Sequence, residues 1–102
     1  MIETRRDLER LLHTHTDAIR AFGVERIGVF GSFAREEQTP ASDIDLMVVF
    51  APGKKTYRNF IRLAYYLEDL AGRRIELLTP EALSEHIRDK VLRQVEYVPL
   101  AA

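Results

Sequence analysis

Apolar residues recur at helical spacing over residues 3–22, where Leu8, Leu11, Leu12, Ile19 and Phe22 share one side and Arg and Glu take the other. Gly23 is placed to end that helix. The pattern then tightens to a short strand, Arg26 to Phe30, followed by Gly31 and Ser32. "SFAREE" can open a brief helix with Ser32 as its N-cap. "QTPAS" reads as a loop, "DIDLMVVF" as a second strand and "APGKKT" as another loop, marked by Pro52 and Gly53. A second long helix runs from Tyr57 to Leu70, with Phe60, Ile61, Ala64, Leu67 and Leu70 as its apolar stripe and Gly72 as its stop. "RRIELL" is a third strand. Thr79 and Pro80 start a last helix, which Leu83, Ile87, Val91 and Val95 continue at steps of four. "YVPL" closes the chain as a short extended segment. The alternation is α-β-α-β-α-β-α, an α/β domain of about three strands flanked by about four helices.

Composition narrows the picture. The 102 residues suit one domain, 1–102, and the 46% hydrophobic share is enough for a core without staples. Cysteine is absent, which excludes disulfides and thiolate metal sites and fits a reducing cytoplasm. "MIETRRDLER" lacks the apolar stretch of a signal peptide, and the apolar run Leu46 to Pro52 is far short of the roughly 18 residues of a membrane span. Lys and Arg number 15 against 16 Asp and Glu, so the chain lacks the basic excess expected of direct nucleic-acid binding.

The second strand carries the anomaly. Residues two apart on a strand share a face, so Asp43 and Asp45 project together while Ile44, Leu46 and Val48 point into the core. A carboxylate within such an apolar run costs several kcal/mol, on the order of a buried-ion penalty, unless something offsets it. The third strand repeats the arrangement, with Glu76 opposite in sense to Ile75 and Leu77. If the two strands are neighbours, three carboxylates converge, and their repulsion raises some of their pKa values or recruits a cation, with oxygen-only ligands pointing to Mg²⁺ or Mn²⁺. Gly31, between strand and helix, admits close approach to backbone. The helix start beyond it, with the Ser32 hydroxyl, suits phosphate. Phosphate cradle and acidic patch together suggest metal-assisted phosphoryl or nucleotidyl transfer.

Gly31-Ser32, ten intervening residues, then Asp43-Ile44-Asp45 resembles the G-S-x10-D-x-D signature of the polymerase-β-like nucleotidyltransferases. "GSFAREEQTPASDIDLMVVF", "GRRIELLTPEAL" and "VLRQVEYV" are similar to its minimal nucleotidyltransferase branch, over roughly Phe22 to Val98. The resemblance implies that branch's fold, with a small mixed sheet. It also implies that Gly31 and Ser32 hold the triphosphate of ATP and that Asp43 and Asp45 bind two Mg²⁺ ions. Glu76 falls at the third acid, which binds the catalytic metal or helps activate the acceptor hydroxyl. Two departures stand out: Glu76 where relatives often have Asp, and Glu36 where a Gly often follows the Ala-Arg pair. The expected partner is a HEPN-domain ribonuclease toxin, neutralised as the chain, its antitoxin, transfers AMP onto a tyrosine.

Other readings stay open beside it. The chain could neutralise its partner by occlusion without catalysis, modify a small molecule, or be a D-x-D glycosyltransferase, although it is short for the last two. Asp43 and Asp45 could cap a turn or pair with Arg35, and Glu76 could pair with Arg73 or Arg74. His13, His15 and His86 lack ligand spacing and read as structural or solvated. Lys54 and Lys55 read as a solvated loop that could touch phosphates. Tyr57, Tyr65 and Tyr66 suit either a protein interface or plain surface.

Overall fold

The computed structural model describes residues 2–100. Its first helix, α1 (Arg5–Thr14), opens on a capping box: the Asp7 N–H donates to Thr4 Oγ1 at 3.1 Å and the Thr4 N–H donates to Asp7 Oδ2 at 3.2 Å. The single helix expected over 3–22 is divided at His15, and α2 spans Thr16–Ala21. Competing side chains explain the break. The Thr16 hydroxyl donates to the His13 carbonyl at 2.7 Å, and His15 Nδ1 lies 2.9 Å from the Leu11 carbonyl. Leu8, Leu12 and Ile19 are nonetheless buried, as the spacing required.

Strands β1 (Val24–Phe30) and β2 (Ile44–Phe50) pair antiparallel, with a bulge between Val24 and Arg26 that lets β1 begin earlier than expected. Helix α3 is one turn, Gly31–Ala34. Helix α4 (Tyr57–Ala71) agrees with its expected span to one residue. Thr56 caps its start through a bond from the Asn59 N–H, and Gly72 at φ 64° ends it. Strand β3 (Ile75–Leu78) then lies parallel to β2.

The C-terminal part departs most from expectation. Thr79 and Pro80 start only a 3-10 turn, Pro80–Ala82; Leu83 returns to extended backbone, and α5 begins afresh at Glu85–Gln94. The "YVPL" segment joins the sheet as a fourth strand, β4 (Glu96–Val98), antiparallel to β1. The order is β3-β2-β1-β4, a mixed sheet with β1 interior. Among the described residues, five α-helices and four strands thus stand against the expected four or so helices and three or so strands.

Ile27, Val29, Ile44, Leu46, Val48, Ile75 and Leu77 pack in one cluster with Leu8, Leu12, Ile19, Leu63 and Leu67. Strict alternation leaves the opposite face of the sheet to Asp45, Met47 and Glu76. Chemistry and core are separated by the pleat.

Candidate active site

Asp43 stands one position ahead of β2, exposed, and Asp45 is the strand's second residue, half-buried. The sequence left open whether the two acidic strands adjoin; they do. Asp45 is the register partner of Glu76 on β3 and, on its other side, of Phe30 on β1. Glu76 is exposed, at the open edge of the sheet.

Gly31 follows directly on Phe30 and adopts φ 71°. A Cβ placed on it would lie 2.2 Å from Asp45 Oδ2 and 2.9 Å from Asp45 Cγ. Glycine is thus required here twice, for its backbone angle and for the space in which the carboxylate sits. Sequence reasoning assigned Gly31 to the approach of a ligand and missed the second demand, since nothing in the sequence marks which side chain lies above it. Ser32 lies within the first turn of α3, whose N-cap is Phe30, with no side-chain capping bond; the expected N-cap role of Ser32 is corrected accordingly. Its carbonyl accepts from the Glu37 N–H at 2.9 Å, which folds the loop back onto the turn.

Asp45 is pushed up from 3.8 to about 6. Burial is the largest cause, followed by the neighbouring carboxylate of Glu76 and the charge of Asp43; Arg35 opposes them weakly. Arg35 is engaged with Glu37, Nε to Oε1 at 3.1 Å, and does not neutralise the patch.

The donors fit a hard cation on chemistry: all are carboxylate oxygens, and their mutual repulsion is what such an ion would relieve. The expected convergence of three acids is only partly realised. Among the described residues, no group of three His, Cys, Asp or Glu side chains is arranged to hold a metal ion. Asp45 and Glu76 form a register pair, while Asp43 lies one position ahead of the strand, its charge still acting on Asp45.

The alternative partners go elsewhere. Arg73 Nη1 donates to the Ile2 carbonyl at 2.9 Å, and Nη2 donates to the carbonyls of Thr39, at 3.0 Å, and Ser42. Lys55 pairs with Glu81 at 3.1 Å, both well exposed. His13 and His86 are exposed, and His15 stands edge-on to the Tyr66 ring.

A model of the nucleotidyltransferase domain matches residues 12–98. The chain belongs to this family. The nucleotidyltransferase of Thermococcus cleftensis named protein adenylyltransferase MntA is 41% identical over 96 residues, 93% of this chain and 96% of that one. A solved structure assigned as a minimal nucleotidyltransferase superposes with a TM-score of 0.71 at 34% identity, covering 86% of this chain and 93% of the other. A toxin–antitoxin crystal structure with AMP-PNP gives a TM-score of 0.68 at 21% identity, over 95% of this chain and 73% of the other, which shows a shared fold.

Proposed function

We infer that this nucleotidyltransferase moves AMP from ATP onto a hydroxyl of a protein partner, with Gly31, Ser32, Asp43, Asp45 and Glu76 as its working residues. The observation that carries the reading is the register pair Asp45–Glu76 beside Gly31, in a chain 93% of which aligns with a protein adenylyltransferase. Asp43, Asp45 and Glu76 would hold Mg²⁺, most simply two ions, which when bound offset the triphosphate charge and make the acceptor hydroxyl more acidic.

The remaining roles belong to the chain. The Ser32 hydroxyl and the backbone after Gly31 orient the phosphates. Glu76, exposed and paired with the half-buried Asp45, takes the acceptor's proton on its carboxylate. The acceptor oxygen bonds to the α-phosphorus, the bond to the bridging oxygen breaks, and pyrophosphate leaves with that electron pair. With Asp43 and Glu76 both exposed, a second molecule must supply the far wall of the site. That requirement suits a protein acceptor, and the branch resemblance favours a tyrosine of a HEPN-domain toxin. ATP as donor suits a cytoplasmic setting. The whole chain then serves as one minimal catalytic domain.

Label transfer tests this. Purified protein, Mg²⁺ and host lysate are incubated in parallel with α-labelled and γ-labelled ATP, and Asp43→Asn/Asp45→Asn serves as control. A protein band labelled from the α position alone and lost in the double variant is the expected result. Label from γ alone would overturn the mechanism. No label, with a partner retained equally by both proteins, would overturn AMP transfer and favour an antitoxin that acts by occlusion.

A further inference from the structure

We propose that Arg73 is a positioning residue for nucleotidyl transfer: its guanidinium fastens the loop carrying Asp43 to the turn carrying Gly31 and Ser32. The inference rests on the catalytic reading above. It stands on where Arg73 reaches. The residue lies between the end of α4 and the start of β3, within the "GRRIELLTPEAL" stretch, where the sequence offered it only as a partner for Glu76. Its Nη2 donates to the carbonyls of Thr39 and Ser42, the latter immediately before Asp43. Its carbon Cζ lies 5.0 Å from the centroid of the Phe33 ring, and Phe33, the residue after Ser32, is fully buried. One side chain therefore bridges the two segments that meet at the site, and Nη1 adds the Ile2 carbonyl as a third anchor at 2.9 Å.

The chemistry is specific to arginine. The planar fork serves several carbonyl oxygens at fixed angles while its face rests on a ring, which the single ammonium of lysine cannot reproduce. Arg73 forms no ion pair with an acid among the described residues, so its charge is directed at backbone oxygens. The neighbouring backbone reinforces the join: the Ile44 N–H donates to the Arg74 carbonyl at 3.0 Å, tying β2 to the same segment. Without the fork, the loop ahead of Asp43 loses its tether while β2, held by β1 and β3, stays in place. Asp43 then drifts relative to Asp45.

Three measurements on Arg73→Lys and wild type decide it. Hydrogen exchange should speed up about tenfold at residues 39–43 and stay unchanged at Val29 and Val48. Mn²⁺ titration, read by relaxation of solvent protons, should show about tenfold weaker binding. In α-labelled ATP transfer, kcat should fall on the order of 10²-fold with KM for ATP within about twofold, since a misplacement of about 1 Å costs that much. Guanidinium ion added to Arg73→Gly should restore part of the loss. Faster exchange throughout the sheet with unchanged Mn²⁺ affinity would make Arg73 a general stabiliser and overturn the proposal. If wild type transfers no AMP, the catalytic reading fails, and the exchange and Mn²⁺ arms still decide the positioning role.

Discussion

Asp45 holds its proton to about pH 6 in the folded chain against 3.8 ordinarily, because burial and two neighbouring acids disfavour its charge. Folding therefore gains from the protonated carboxyl fully below about pH 4, and that gain is lost as pH rises through 6. At pH 7–8 and without divalent cations, Asp45→Asn should stabilise the chain by on the order of 1 kcal/mol, solvent screening of a half-exposed group holding the figure down. At pH 4 the gain should vanish, as urea denaturation at the two pH values will show; AMP transfer should be lost. Glu36 offers a second test. It adopts φ 58°, the left-handed angle that a side chain resists and that glycine takes freely. Glu36→Gly should raise stability by about 0.5–1 kcal/mol, visible in the denaturation midpoint, because relief of the strained angle outweighs the added freedom of the unfolded chain. The acids themselves were legible because a charge inside an apolar run is conspicuous. Arg73 was not, since its partners are carbonyls from distant segments and leave no trace in side-chain pattern.

Local signals fixed the elements that local interactions build. Helix α4 has a threonine cap, an apolar stripe and a left-handed glycine end, and its span was readable to one residue. Helix α1 has the same kind of start, so Thr4→Ala, which removes the bond from the Asp7 N–H, should cost about 1 kcal/mol in chemical denaturation. Asp7 sits below the usual carboxylate range because the Glu3 and Thr4 N–H groups donate to it. Its contribution to the cap is present above the unfolded carboxylate value and lost as pH falls through the folded one. Misreadings came where local signals competed. The steps of four through Leu83, Ile87, Val91 and Val95 implied one buried stripe, yet the chain straightens at Leu83 and Ile87 remains 48% exposed. The tether from Arg88 Nη2 to the Leu83 carbonyl at 2.9 Å holds that break. Apolar spacing marks a face; it does not say what covers the face.

Across the molecule, sheet order was the part hidden from sequence. Pairing of β2 with β3 and of β1 with β4 joins segments far apart in the chain, and their directions follow from tertiary packing. The tyrosines divide at this scale too: Tyr57 is 80% and Tyr65 62% exposed, while Tyr66 packs on Phe22 at 5.5 Å between ring centroids. The described residues contain no helix long and apolar enough to cross a membrane. The place of β4 has a consequence for biosynthesis. Strand β1 is interior, yet one of its neighbours is Glu96–Val98, which a ribosome delivers after every other strand of the sheet. Gly31 through Glu76 are all translated before that strand exists. A nascent chain can thus assemble the acidic patch while the β4 side of β1 still bares its unpaired N–H and C=O groups, an edge prone to capture by other chains. The chemistry is in place before the sheet is sealed, and the few residues of β4 decide whether the newborn domain stays solitary.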